Sequence, residues 1–166
     1  MSSSFDLGDV DAITVGTVGE PGRRVFYLQA VSGTQVVSLK LEKQQVAALV
    51  TYLATLLSDL PSPGPLPTDL DLVEPVLPEW AVGALGVSYD EATDRVLVQA
   101  EELMEEETDE GATARFLTTR EQLAALAARG AEVVSAGRPP CPLCGQPLDP
   151  EGHVCVRLNG HRSQSR

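Results

Sequence analysis

The chain has 166 residues, with 24 Asp and Glu against 12 Lys and Arg and a formal net charge of −12. That acid surplus argues against a general role in neutralising nucleic-acid phosphates, and no apolar run approaches the ~20 residues that span a bilayer. A hydrophobic content of 43% with only 4% aromatic residues predicts a globular protein with a Val, Leu and Ala core, one ordinary domain plus a small appendage.

The start, Met1-Ser2-Ser3-Ser4-Phe5-Asp6, lacks the basic residues and apolar stretch of a signal peptide, so a cytoplasmic protein is expected. Ala12 to Val18 and Arg24 to Ala30 read as strands joined by the turn Gly19-Glu20-Pro21-Gly22. Val36 to Leu41 reads as a third strand, half-buried because Val37, Leu39 and Leu41 share one face. Val46, Leu49, Val50, Leu53, Leu56, Leu57 and Leu60 then recur at helical spacing. Residues 1–60 thus predict a β-β-β-α unit. Residues 61–78 carry six of the twelve prolines and predict an extended, semi-rigid linker.

The same order returns over residues 79–137. Val15-Gly16-Thr17-Val18-Gly19 matches Val82-Gly83-Ala84-Leu85-Gly86, and Phe26-Tyr27-Leu28-Gln29-Ala30 matches Val96-Leu97-Val98-Gln99-Ala100. Gln44-Gln45-Val46-Ala47-Ala48-Leu49 matches Glu121-Gln122-Leu123-Ala124-Ala125-Leu126, so a second β-β-β-α repeat is expected. Thr118, three residues before Glu121, predicts a capping box. Gly130 inside the second helix predicts a weakening of about 1 kcal/mol relative to Ala. One unit alone leaves exposed strand edges. The expected fold is therefore α+β: two repeats forming a pseudo-two-fold antiparallel sheet with both helices on one face.

Other features read as scaffold. The stretch from Glu101 to Glu110 predicts a solvated acidic loop in the second repeat. Gly16, Gly19, Gly83 and Gly86 precede no helix, so bulges or close backbone contacts explain them better than a dinucleotide fingerprint. Trp80 reads as a core plug. Ser88 and Ser135 lie outside any GxSxG context, and no nucleophile–base constellation emerges.

All three cysteines and both histidines fall in residues 138–166. Cys141-Pro142-Leu143-Cys144-Gly145 builds a knuckle that aims two thiolates at one ion, the requirement of a tetrahedral structural zinc site. Asp149-Pro150-Glu151-Gly152 is a turn signal that places His153 and Cys155 on one face of a return strand. His161, reached through Cys155-x5-His161, is the alternative fourth ligand. With five available donors, three of them thiolates, a closed structural site is expected instead of a catalytic one with an open position. Arg138, Arg157, Arg162 and Arg166 against Asp149 and Glu151 make this tail locally basic.

The stretches Val15 to Gly22, Leu41 to Val46, Gly137 to Gly145 and Asp149 to Cys155 are similar to an uncharacterised actinobacterial zinc-ribbon family, the domain of unknown function numbered three-thousand-and-ninety. The resemblance spans nearly the whole chain. It implies a cytosolic bacterial protein with no established activity, often encoded beside a histidine-phosphatase-like and a lipid-kinase-like protein. The family's pattern supports Cys141, Cys144, His153 and Cys155 as the metal ligands.

These features predict a non-enzymatic protein binding one structural Zn2+, a protein-interaction or regulatory module in a bacterial cytosolic pathway, with a protein partner and no membrane. The alternative is an enzyme or ligand-binding protein acting on a phosphorylated small molecule at the inter-repeat groove, lined by Arg24, Tyr27 and Arg95. A third reading has the tail arginines contact nucleic acid.

Overall fold

A computed structural model describes residues 2–106 and 110–136. Along them run β1 (Phe5–Asp9), β2 (Ala12–Val18), β3 (Val25–Ser32), β4 (Gln35–Leu41), α1 (Lys43–Ser58), β5 (Pro78–Asp90), β6 (Arg95–Glu102), β7 (Thr113–Thr118) and α2 (Arg120–Ser135). The strands form where alternate residues are aliphatic. Phe26, Leu28 and Ala30 in β3, then Val37, Leu39 and Leu41 in β4, point to one buried face, as a period of two requires. Val96, Val98 and Ala100 in β6 and Ala114 and Phe116 in β7 do the same.

β2, β3 and β4 make one antiparallel meander, and β5, β6 and β7 make another. The expectation of a single antiparallel sheet is corrected. The sheet is mixed and seven-stranded, in the order β1-β7-β6-β5-β4-β3-β2, with β1–β7 and β4–β5 parallel. Two causes account for the difference. β1 has only Phe5 and Leu7 packed on the core and is interrupted by Gly8 at φ 63°, too little periodicity to announce a strand. β5 is 13 residues long and serves two neighbours. Its first part pairs with β4 as far as Ala81, and Val82 to Asp90 pair with β6. The helix and strap between β4 and β5 supply the crossover that a parallel pair needs. Pro78, expected to close the linker, opens this strand.

The two edges of the sheet are brought together at one end. Only Val10 and Asp11 separate β1 from β2, yet these strands hold opposite ends of the strand order. Laid flat, strands ~4.8 Å apart would put those ends on the order of 29 Å from each other. Two linking residues reach about 11 Å. The sheet therefore curls until its ends meet, with Val10 N donating to Leu117 O at 3.0 Å and Asp11 N to Val31 O at 2.8 Å.

Both helices share the core lining this face. Val46, Leu49 and Leu53 of α1 and Leu123, Leu126 and Val133 of α2 are buried in one cluster with the strand residues. Each fully buried Leu or Val contributes about 1.5–3 kcal/mol. Gly130 sits where α2 meets α1 and β2 together. A Cβ there would lie 2.6 Å from Val50 Cγ2 and 3.5 Å from Val15 Cγ2. The glycine is thus a contact surface, where the sequence alone predicts only a weak point. The capping box of α2 is also shifted by one residue, to Thr119 and Gln122, because Thr118 is the last residue of β7, its hydroxyl donating to Val96 O at 2.8 Å.

The segment between Asp59 and Leu77 crosses the outer face of the first meander. Thr14 Oγ1 donates to Leu70 O at 2.7 Å. Gln29 accepts from Val73 N at 2.7 Å and donates to Val73 O at 3.1 Å. A side chain at Gly16 would collide with Leu72, whose Cγ lies 2.7 Å from the Cβ position. Residues 13 to 16 of β2 are consequently buried on both faces.

The ladder also corrects the glycine match. The last pairs before the two turns are Val18 with Val25 and Asp90 with Arg95. Counting back from them sets Gly16 level with Ser88 and Thr14 level with Gly86. The leading segment of β5, which pairs with β4, displaces the glycines of the second meander along the strand.

Candidate functional site

Beyond Val82, no strand among the described residues lies beside the edge of β5 that faces α1, because β4 pairs only as far as Ala81. An open groove of about 400 Å³ lies there, lined by Gln45, Ala48, Leu49, Tyr52, Gly83 and Gly86 among others. Gly83 forms the bulge at its upper end, where the register shifts between Val82 and Ala84. A Cβ on Gly83 would be 2.9 Å from Leu103 Cα, so only glycine lets the two backbones approach. Gly86 meets nothing within 4 Å and leaves the groove open. Gln45 Nε2 donates to Val82 O at 2.9 Å, and Tyr52 Oη to Val87 O at 3.2 Å. With those groups engaged, what the groove offers an incoming chain is apolar surface and unpaired β5 backbone.

A second depression, about 300 Å³, lies on the outer face of β5 and β6 between Gly86, Ser88, Leu97, Gln99 and Glu101. Arg115 Nη1 donates to Gln99 Oε1 at 3.0 Å.

The charged groups gather at the turn between β5 and β6. Arg120, the first residue of α2, grips Asp94 through Nε at 2.9 Å and Nη2 at 3.3 Å, and its Nη1 donates to Pro61 O and Ser62 O. Tyr89 donates its hydroxyl to Asp94 Oδ1 at 2.8 Å. The hydrogen bond from Arg120, followed by that from Tyr89, lowers the Asp94 pKa. Donation to Asp94 raises the Tyr89 pKa, and the same partner raises that of Arg120. This node pins the strap to α2 and the turn.

Glu102 departs from the expected solvated loop. Its carboxylate accepts from Ala112 N at 3.0 Å and from Ser2 Oγ at 2.6 Å, and the Ala112 amide, ahead of the Ser2 hydroxyl, lowers its pKa. It closes the base of the acidic loop and anchors the N-terminal residues. Trp80 is buried in the core as expected, its indole N–H donating to Ser3 O at 2.8 Å.

Cys141, Cys144, His153, Cys155 and His161 lie outside the described residues. Among the described residues no group of three metal-ligating side chains could hold an ion. Among them, too, no hydrogen bond or ion pair brings Arg24, Tyr27 and Arg95 together. Arg95 is held by Asp9 at 2.9 Å, Tyr27 sits on β3 opposite Lys40 and Gly16, and Arg24 precedes that strand. Gln29, Gln45, Gln99 and Gln122 organise the surfaces described above without forming any catalytic motif. Their only sequence signal is recurrence within the matched stretches. No helix among the described residues is long and apolar enough to cross a membrane.

Fold and grooves together define an α+β protein with a curled, seven-stranded mixed sheet and, among the described residues, an open strand edge beside a helix. The chain belongs to the family described as "Protein of unknown function (DUF3090)", whose model matches residues 5–155. Neither the curated proteins nor the solved structures contain a match to it.

Proposed function

We propose that this chain is a non-enzymatic interaction module: a duplicated β-β-β-α body that docks a protein segment in the groove between α1 and β5, carrying one structural zinc in residues 138–166. The observation that carries the docking reading is the unpaired edge of β5 beside an apolar helix face, with Gly86 leaving the space open. An extended peptide binds such an edge through main-chain hydrogen bonds, with neighbouring pockets supplying selectivity. The zinc reading rests on the spacing of Cys141, Cys144, His153 and Cys155, with His161 as the other candidate ligand. Duplication is supported by the matching roles of Gln45 and Gln122, each capping its own helix and donating to a carbonyl where the chain changes strand partner. A bacterial cytosolic setting belongs to this reading, as the family resemblance implies. A phosphorylated ligand is less well supported, because Arg95 is engaged with Asp9.

Native mass spectrometry of the full chain tests the metal: one zinc per chain is expected, lost on Cys144→Ser. A substoichiometric result throughout sinks that part. For the groove, Tyr52→Ala and Ala48→Trp, both on the α1 wall, should abolish binding of a captured partner while leaving zinc content unchanged. Retention of the partner by both variants would place docking elsewhere.

A further inference from the structure

The two meanders present equivalent outer faces, but among the described residues only one is covered. In the first, Thr14 lies opposite Gln29, and the segment leaving α1 lies across both. In the second, Gly86 lies opposite Gln99. Gln29 and Gln99 each stand four residues beyond the first paired residue of their strand, Val25 and Arg95. Yet Gln29 is 1% exposed, whereas Gln99 is half-buried and Ala84, Gly86 and Ser88 are exposed. β2 is covered on both sides and β5 on one.

The chain that leaves each helix is placed to treat its meander alike. α1 and α2 both begin two residues after the third strand of their meander and both run 16 residues. From Ser58, the last residue of α1, the strap reaches Thr14 at Leu70. After Ser135, the last residue of α2, residues 136–166 remain, ample to make the same crossing. Arg138, Arg157, Arg162 and Arg166 outnumber Asp149 and Glu151 in a chain of net charge −12, and the bare face carries Glu101 together with Arg115, whose Nη1 donates to Gln99 Oε1.

We propose that the segment 137–166 docks on the outer face of β5 and β6 over Gly86 and Gln99, with Gln99 Nε2 donating to its backbone as Gln29 Nε2 donates to Val73 O. The interaction is intramolecular and makes the C-terminal segment a second strap. It takes the docking-face logic of the proposed function to a different surface, and it needs no metal.

Photo-cross-linking of the full-length chain tests it, with benzoylphenylalanine replacing Leu97 and the products read by peptide mass spectrometry. Cross-links from residue 97 to peptides within 137–166, in monomeric protein, are expected. Their yield should fall at least fivefold in Gly86→Tyr, where the added Cβ meets nothing within 4 Å, and in Gln99→Ala. Unchanged yields in both variants, cross-links confined to residues before 137, or products found solely in a covalent dimer would overturn the proposal. Zinc content measured on the same samples separates the two readings. Cross-links without bound zinc would sink the metal site and leave the second strap standing.

Discussion

Gln45 and Gln122 occupy the third position of α1 and α2, and each ties its helix to the point where another strand changes partner. Gln45 Oε1 accepts from Glu42 N at 2.8 Å while Nε2 donates to Val82 O at 2.9 Å. Gln122 Oε1 accepts from Thr119 N at 2.9 Å while Nε2 donates to Val10 O at 3.1 Å. At Val82 the chain passes from β4 to β6, and at Val10 it passes from β7 to β3. Replacing either glutamine by Ala removes a cap and strands a carbonyl, an expected loss of about 1–2 kcal/mol each. Urea unfolding of the two single variants and the double variant checks this. Additive losses are expected, because the two sites share no partner.

Gly130 offers a test with a definite sign. A helix-interior glycine replaced by Ala ordinarily gains about 1 kcal/mol. Here the new methyl would press on Val50 Cγ2 at 2.6 Å, a β-branched side chain stiff at χ1, and overpacking costs roughly 1–3 kcal/mol. Gly130→Ala should lower the thermal midpoint, and Gly130→Ala with Val50→Ala should recover part of the loss.

Gln29 holds the strap by both backbone polar groups of one residue, Val73. Gln29→Ala would leave Val73 N–H and C=O unpaired beneath it, and about 2–3 kcal/mol of stability should disappear. Faster proteolytic cleavage between Leu66 and Val73 is the accompanying signature. A variant as resistant as the parent would show that the strap is held elsewhere.

Acid should loosen the molecule through Glu102. Its carboxyl pKa is lowered in the folded chain from the ordinary 4.5 by the Ala112 amide and the Ser2 hydroxyl. A group depressed in this direction stabilises the fold above its unfolded value and loses that contribution as pH falls through the folded one. Asp94, lowered from 3.8 by Arg120 and Tyr89, adds to the loss at still lower pH. Thermal midpoints should therefore drop as pH is taken below about 4.5, and the drop should be shallower in Glu102→Gln.

Where side-chain periodicity is strong, sequence and structure agree closely. β2 has the expected limits, Ala12 to Val18, and α1 begins and ends within three residues of the apolar run Val46 to Leu60. Residues whose role depends on a distant neighbour are illegible by the same means. Phe5 and Leu7 look like an undistinguished start until β7 lies beside them. Ala81 and Val82 look like successive residues of one ordinary strand until β4 and β6 claim them separately. Gly16 and Gly83 share a local pattern for unrelated reasons, one clearing Leu72 and the other clearing the backbone at Leu103. The glutamine pairs were visible as letters, but their function required the carbonyls opposite.

Phe5 pairs with Ala114 and Asp9 with Leu117, so the residues of β1 find their partners only after some hundred more have emerged from the ribosome. Until then the nascent chain can form the first meander and α1, but β1 has nothing to join. Closure must be among the last events of biosynthesis, since contacts so remote in sequence form slowly. A translation stall anywhere before β7 would release a chain with its first strand still looking for a neighbour, and a neighbour from another molecule would serve.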